Sequence, residues 1–97
     1  MGKKYKVTWT LESKRQVDII LHFLKLKWGE KEASEFLGLL LNFELTISRF
    51  PKSFKESSTY KECRIGFIHK HITALYSLSK TEITILTVFD NRSKPGS

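Results

Sequence analysis

Residues 60–96, YKECRIGFIHKHITALYSLSKTEITILTVFDNRSKPG, read as three consecutive strands separated by short polar turns. From Lys61 onward, Cys63, Ile65 and Phe67 alternate with Glu62, Arg64, Gly66 and Ile68. A period of two sends the first set toward a core and the second to the opposite face. His69-Lys70-His71 marks the turn into Ile72–Leu78, and Ser79-Lys80-Thr81-Glu82 marks the next turn. Ile83 to Phe89 is apolar almost throughout, which predicts a central strand covered on both faces. Arg64 lies inside the first of these strands, and Arg92 follows the last. An arginine within a strand is costly to leave dry, so it must face solvent, a carboxylate or an anionic ligand.

Upstream of this meander, Tyr5-Lys6-Val7-Thr8-Trp9-Thr10 alternates apolar and polar residues and predicts a strand with Tyr5, Val7 and Trp9 facing the core. Thr10 is placed to cap a helix over Leu11–Trp28, with Val17, Ile20, Leu21, Leu24 and Trp28 at helical spacing and Gly29 as its stop. A second helix runs from Glu30 to about Arg49, with Ala33, Phe36, Leu37, Leu40 and Ile47 on one stripe. Leu39, Leu41 and Phe43 widen its apolar arc beyond what one neighbour needs, so Leu41 and Phe43 are expected to face a partner chain. Phe50-Pro51 ends the helix, because the residue before proline is driven out of the helical region. Lys52–Thr59 is polar and serine-rich and reads as a loop, with Phe54 tucked back onto the core.

The order β-α-α-β-β-β predicts an α+β domain. An antiparallel helix hairpin covers one face of a mainly antiparallel sheet of about four strands, and the other face stays open. With 97 residues, 40% hydrophobic, the chain has material for one core, so residues 1–97 are read as a single domain with a core of about 4–90 and a tail of 91–97. Seventeen Lys and Arg against ten Asp and Glu leave a charge of +7, which favours an acidic protein, nucleic acid or another anionic partner. Cys63 is the single cysteine, so no intramolecular disulfide can form, as expected for a reducing cytoplasm. No window is long and apolar enough to span a bilayer, and no membrane role is expected.

Several chemistries can be weighed on this frame. His69 and His71 are close but stand outside any recognised zinc spacing, so neither a metal site nor a cofactor is expected. Cys63 shares the parity of Ile65 and Phe67, which makes it a core thiol rather than a nucleophile. Anion recognition has more support. Lys61, Arg64, Lys70, Arg92 and Lys94 lie in or beside the sheet, and guanidinium groups grip phosphate oxygens in pairs. The same arginines, with His69 or His71 moving a proton, would suit RNA cleavage. Against this stands an internal ion pair of Arg64 with Glu44, Glu62 or Asp90. Tyr76 is a candidate for stacking on a base.

Taken together, the opening Tyr5-x-Val7-x-Trp9-Thr10, Ile19-Ile20 in a basic first helix, Phe50-Pro51, Arg64, Tyr76 and the Ile83–Leu86 strand resemble the toxins of RelE/ParE-type bacterial toxin–antitoxin pairs. The ending Asp90-x-Arg92-x-x-Pro95 belongs to the same resemblance. It implies a growth-arresting toxin held inactive by a cognate acidic antitoxin, oligomeric in that complex, and directed either at DNA gyrase or at mRNA on the ribosome. Nuclease members carry a constellation of Arg, Lys, Tyr or His on the open sheet face. Carried over, Arg64 matches their strand arginine and Lys61 is a companion. The chain lacks their terminal His or Tyr, so the resemblance leans to the ParE-like, non-nuclease branch. A ribosome-dependent endonuclease using Arg64 with His69 or His71 is the alternative, and a degenerate, non-toxic antitoxin-binding module is a third reading.

Overall fold

The computed structural model describes residues 4–69 and 71–91. The chain runs β1 (Lys6–Trp9), α1 (Leu11–Trp28), α2 (Glu30–Arg49), β2 (Lys55–Glu56), β3 (Cys63–His69), β4 (Ile72–Leu78) and β5 (Glu82–Asp90). The five strands form one sheet in the order β1-β5-β4-β3-β2. β1 runs parallel to β5, and the remaining pairs are antiparallel. The fifth strand, β2, arises within the polar segment expected to be a loop. Its two residues pair with Ile65 and Arg64 at the sheet edge.

Local chemistry sets the helix ends where the sequence places them. The Thr10 hydroxyl accepts a hydrogen bond from the Ser13 amide (3.1 Å) and donates to the Leu86 carbonyl (2.8 Å), tying the start of α1 to β5. Gly29 stops α1 at φ 103°, a left-handed backbone that a side chain would strain. Its amide donates to the Leu24 and Lys25 carbonyls, and α2 begins at the next residue.

The helix hairpin packs on one face of the sheet. Val17 and Ile20 of α1 and Phe36, Leu40, Phe43 and Ile47 of α2 meet Ile68, Ile72, Ala74, Tyr76, Ile83, Ile85 and Val88. Phe54 packs against this cluster, as expected. Two positions on the predicted stripes change places. Leu37 is exposed, whereas Phe43 is buried against Phe54 and Tyr76 and does not face a partner chain. Trp28 is also exposed.

The parity of β3 is the reverse of the expectation. A Cβ on Gly66 would lie 2.5 Å from Phe43 Cε1, so Gly66 opens the space that the Phe43 ring fills. Arg64, Gly66 and Ile68 therefore face the helix side, and Cys63, Ile65 and Phe67 face away from it. Phe67 is 63% exposed, whereas Ile68 is buried. β5 is internal to the sheet, and its two faces differ: Ile83, Ile85 and Val88 are fully buried toward the helices, while Thr84, Leu86, Thr87 and Phe89 are partly exposed. An irregular step in the β4–β5 register lets Thr87 pair with Leu75 and Ile85 with Tyr76, with Leu86 as the extra residue.

Candidate functional site

Arg64 and Tyr76 lie directly opposite one another on neighbouring strands, on the helix side of the sheet and beyond the C-terminal end of α2. The chain leaving α2 crosses above them and supplies their partners. Arg64 Nη1 donates to the Phe54 carbonyl at 2.8 Å, and Nη2 reaches Glu56 Oε2 at 3.2 Å. The carboxylate is thus Glu56, brought alongside by β2, rather than Glu44, Glu62 or Asp90. The Tyr76 hydroxyl donates to the Pro51 carbonyl at 2.7 Å, and the ring is fully buried. Burial pushes this hydroxyl up to about 12, partly offset by the Arg64 charge. A buried ring cannot stack on a base, so Tyr76 is a core residue.

A shallow cleft of about 820 Å³ opens beside Arg64, lined by Tyr5, Lys52, Glu56, Glu62, Leu78 and Lys80 among others. Lys52, Arg64 and Lys80 give it cationic groups, while Glu56 and Glu62 offset them. Lys61 is exposed in the turn before β3. Lys70, Arg92 and Lys94 lie outside the described residues. Glu62 takes a left-handed backbone (φ 60°), and its carbonyl accepts from the Leu78 amide, which holds this turn against β4. The Cys63 thiol is pushed up by burial and then by the Glu62 charge, opposite to what a nucleophile needs.

The second concavity lies at the other end of the domain, where the tip of the hairpin overhangs the β3–β4 turn. This groove of about 760 Å³ is walled by Ile19, Phe23 and Trp28 of α1, by Glu32, Glu35 and Leu39 of α2, and by His69, His71, Phe89 and Asp90 of the sheet. The two imidazoles stand 6.1 Å apart between ring centroids, and the His71 amide donates to His69 Nδ1 at 3.4 Å. Among the described residues, no group of three or more His, Cys, Asp or Glu side chains is placed to hold a metal ion. The two histidines are therefore far from Arg64, at opposite ends of their strand. Nothing in the linear spacing singled out this groove, although the breadth of the apolar arc on α2, which includes Leu39, was its visible trace.

The helix-free face of the sheet carries neither Arg64 and Tyr76 nor the two histidines. Its rows run Phe67–Thr73–Phe89, Ile65–Leu75–Thr87 and Cys63–Ser77–Thr84, with Lys55 bordering the second at one edge and Thr8 the third at the other. Thr73 donates its hydroxyl to Asn91 Oδ1 at 3.1 Å. The face is apolar and hydroxylic. Its charged groups stand at the edges, Lys55 on β2 and the Lys6–Glu82 pair two residues before Thr8 and Thr84, and the three central rows carry no carboxylate, imidazole or guanidinium.

Two helices on one face of a β1-β5-β4-β3-β2 sheet, with β1 parallel to β5, is the fold of RelE/ParE-type toxins. Among solved structures, the chain resembles a chromosomal ParDE toxin–antitoxin system from P. aeruginosa, at 14% identity and a TM-score of 0.76 over 92% of this chain and 98% of that one. It also resembles the RelBE2 complex of Mycobacterium tuberculosis (17% identity, TM-score 0.64, covering 90% and 91%). A third similar structure is the DinJ–YafQ complex of E. coli (7% identity, TM-score 0.66, covering 96% and 99%). At these identities the likeness is one of fold. No protein-family model and no curated protein matches the chain. Among the described residues, no helix is long and apolar enough to cross a membrane.

Proposed function

We propose that this chain is the toxin of a toxin–antitoxin pair, acting in the cytoplasm by ParE-like inhibition of DNA gyrase and neutralised by a cognate acidic antitoxin. The observation that carries the reading is the inward placement of Arg64 and Tyr76. Both spend their polar groups on the chain's own Phe54, Glu56 and Pro51, and the central rows of the helix-free face are left apolar and hydroxylic. Such a face suits a protein target, which offers apolar surface, better than a phosphate backbone. The groove between hairpin and sheet gives an antitoxin segment an apolar seat, and the overall charge of +7 draws an acidic chain toward the domain.

A second reading, a ribosome-dependent mRNA endonuclease, rests on His69 and His71. They are the described groups best suited to proton transfer, and they line a concave surface. Expression without an antitoxin, read in parallel by gyrase supercoiling and by mRNA integrity, separates the two. Inhibited supercoiling with intact mRNA is expected, unchanged in His71→Ala. Codon-positioned cuts that disappear in His71→Ala would overturn the gyrase reading. Normal growth, with binding to an antitoxin retained, would leave only a non-toxic binding module.

A further inference from the structure

The outer face of α2, turned away from Ala33, Phe36, Leu40, Phe43 and Ile47, carries the stripe Glu30, Ser34, Gly38, Leu41, Leu45, Arg49. All six residues are exposed, and Leu41 and Leu45 expose 63% and 57% of their surface. A Cβ built on Gly38 meets nothing within 4 Å, so no packing inside the domain requires a glycine there. Glycine within a helix nonetheless weakens it relative to alanine. The stripe has a further property. Its intervals of four, four, three, four and four residues read the same in both directions.

The geometry points to a second copy of this chain as the occupant of this face, with the two α2 helices crossing antiparallel about a two-fold axis. In the register that places Gly38 opposite Leu41, Ser34 falls opposite Leu45 and Glu30 opposite Arg49, each pair occurring twice. Each leucine then fills the space left by a small residue across the interface. Such pairs let helix axes approach to about 8 Å. The charges agree with this direction and no other. Glu30 and Glu32 stand in the first turn of α2 and Arg49 in its last, so only an antiparallel pair brings acid to base at both ends. Among the described residues, Glu30 meets one cation, Lys25 at 3.8 Å, and its own side chain is 85% exposed. Arg49 makes no ion pair among the described residues. Two copies of charge +7 repel at long range, so contact is favoured where the signs alternate in this way.

Some 20 residues of helix give a footprint about 30 Å long, at the low end of specific interfaces, so a dissociation constant on the order of tens of micromolar is expected. Sedimentation of the purified chain across the micromolar range at physiological salt tests this. A concentration-dependent dimer is expected. Gly38→Gln, whose side chain has open space in the monomer, is expected to weaken it at least about tenfold without lowering the melting temperature. Glu30→Arg and Arg49→Glu singly are each expected to weaken it about tenfold, and together to restore it to within about threefold. A chain that stays monomeric, a dimer indifferent to Gly38→Gln, or a double reversal that restores nothing would overturn the proposal. So would a monomer in which Gly38→Gln instead weakens binding of an acidic partner protein.

Discussion

Tyr76→Phe isolates one hydrogen bond and one titration. The hydroxyl is fully buried and gives its proton to the Pro51 carbonyl at 2.7 Å, at the point where the chain leaves α2. Removing it leaves a buried carbonyl without its donor, which costs about 1–2 kcal/mol at neutral pH. Alkali reverses the balance. In the fold the hydroxyl keeps its proton up to about 12, whereas in the unfolded chain it ionises near pH 10. The unfolded state therefore loses its proton first as the pH rises. The stabilisation is complete below pH 10 and drains away between pH 10 and 12, by roughly 2 kcal/mol in all. The tyrosine chain should start out more stable than the phenylalanine variant and meet it at about pH 11. Urea denaturation of both chains, followed by circular dichroism from neutral pH to pH 11.5, measures the gap directly. Equal stability at neutral pH, or a gap that stays constant through the alkaline range, would refute the reasoning.

The remaining predictions concern the residues that close the fold around this point. Gly66→Ala forces a methyl into the Phe43 ring, which is itself held between Phe54 and Tyr76, and should cost about 1–3 kcal/mol by chemical denaturation. Arg64→Ala leaves the Phe54 carbonyl without its guanidinium donor and should cost about 1–3 kcal/mol, whereas Glu56→Ala, at a carboxylate 76% exposed, should cost less than about 0.5 kcal/mol. Because the Arg64 charge lowers the Tyr76 value, ultraviolet titration of Arg64→Ala should move the buried tyrosine further upward. Thr10→Ala removes both the helix cap and the tie to Leu86, and thermal unfolding should report a loss of about 1–2 kcal/mol.

The helices and the main strands were legible because their signals are local. Thr10 caps, Gly29 stops and Phe50-Pro51 terminates by chemistry confined to a few adjacent residues, and helix limits of Leu11–Trp28 and Glu30–Arg49 follow. Face assignments were less legible, because they depend on which partner fills the space across the core. In β3, Phe67 has the stronger apolar side chain, and periodicity alone sends it inward. The competing fact is tertiary. Gly66 is the residue that lets Phe43 reach the sheet, and nothing within β3 announces that Phe43 needs the space. The strand β2 escaped for a related reason: its two residues gain strand character only from pairing with Ile65 and Arg64. The sequence did show that Arg64 needed a polar partner. It did not show that the chain would fold back at residues 54–56 to supply one.

The parity of β3 also decides what the sheet can do. Were Cys63, Ile65 and Phe67 on the helix side, Arg64 would stand on the open face with a guanidinium free for phosphate oxygens. With Gly66 inward, Arg64 is drawn under the 51–56 segment, and its charge is spent on a carbonyl and a carboxylate of its own chain. The open face then inherits Ile65 and Phe67, flanked by Leu75, Thr73 and Phe89 on the neighbouring strands. The cations of that face, Lys6 and Lys55, stand at its two edges, so its central rows suit contact with a protein better than with phosphate. The inward placement of Arg64 thus rests on the absence of one Cβ atom at Gly66. Gly66→Ala tests this beyond stability, because displacement of Phe43 should loosen the 51–56 segment and increase hydrogen exchange at the Ser57 amide bonded to the Cys63 carbonyl. Unchanged exchange there, with the domain still folded, would show that the parity of β3 does not depend on Gly66.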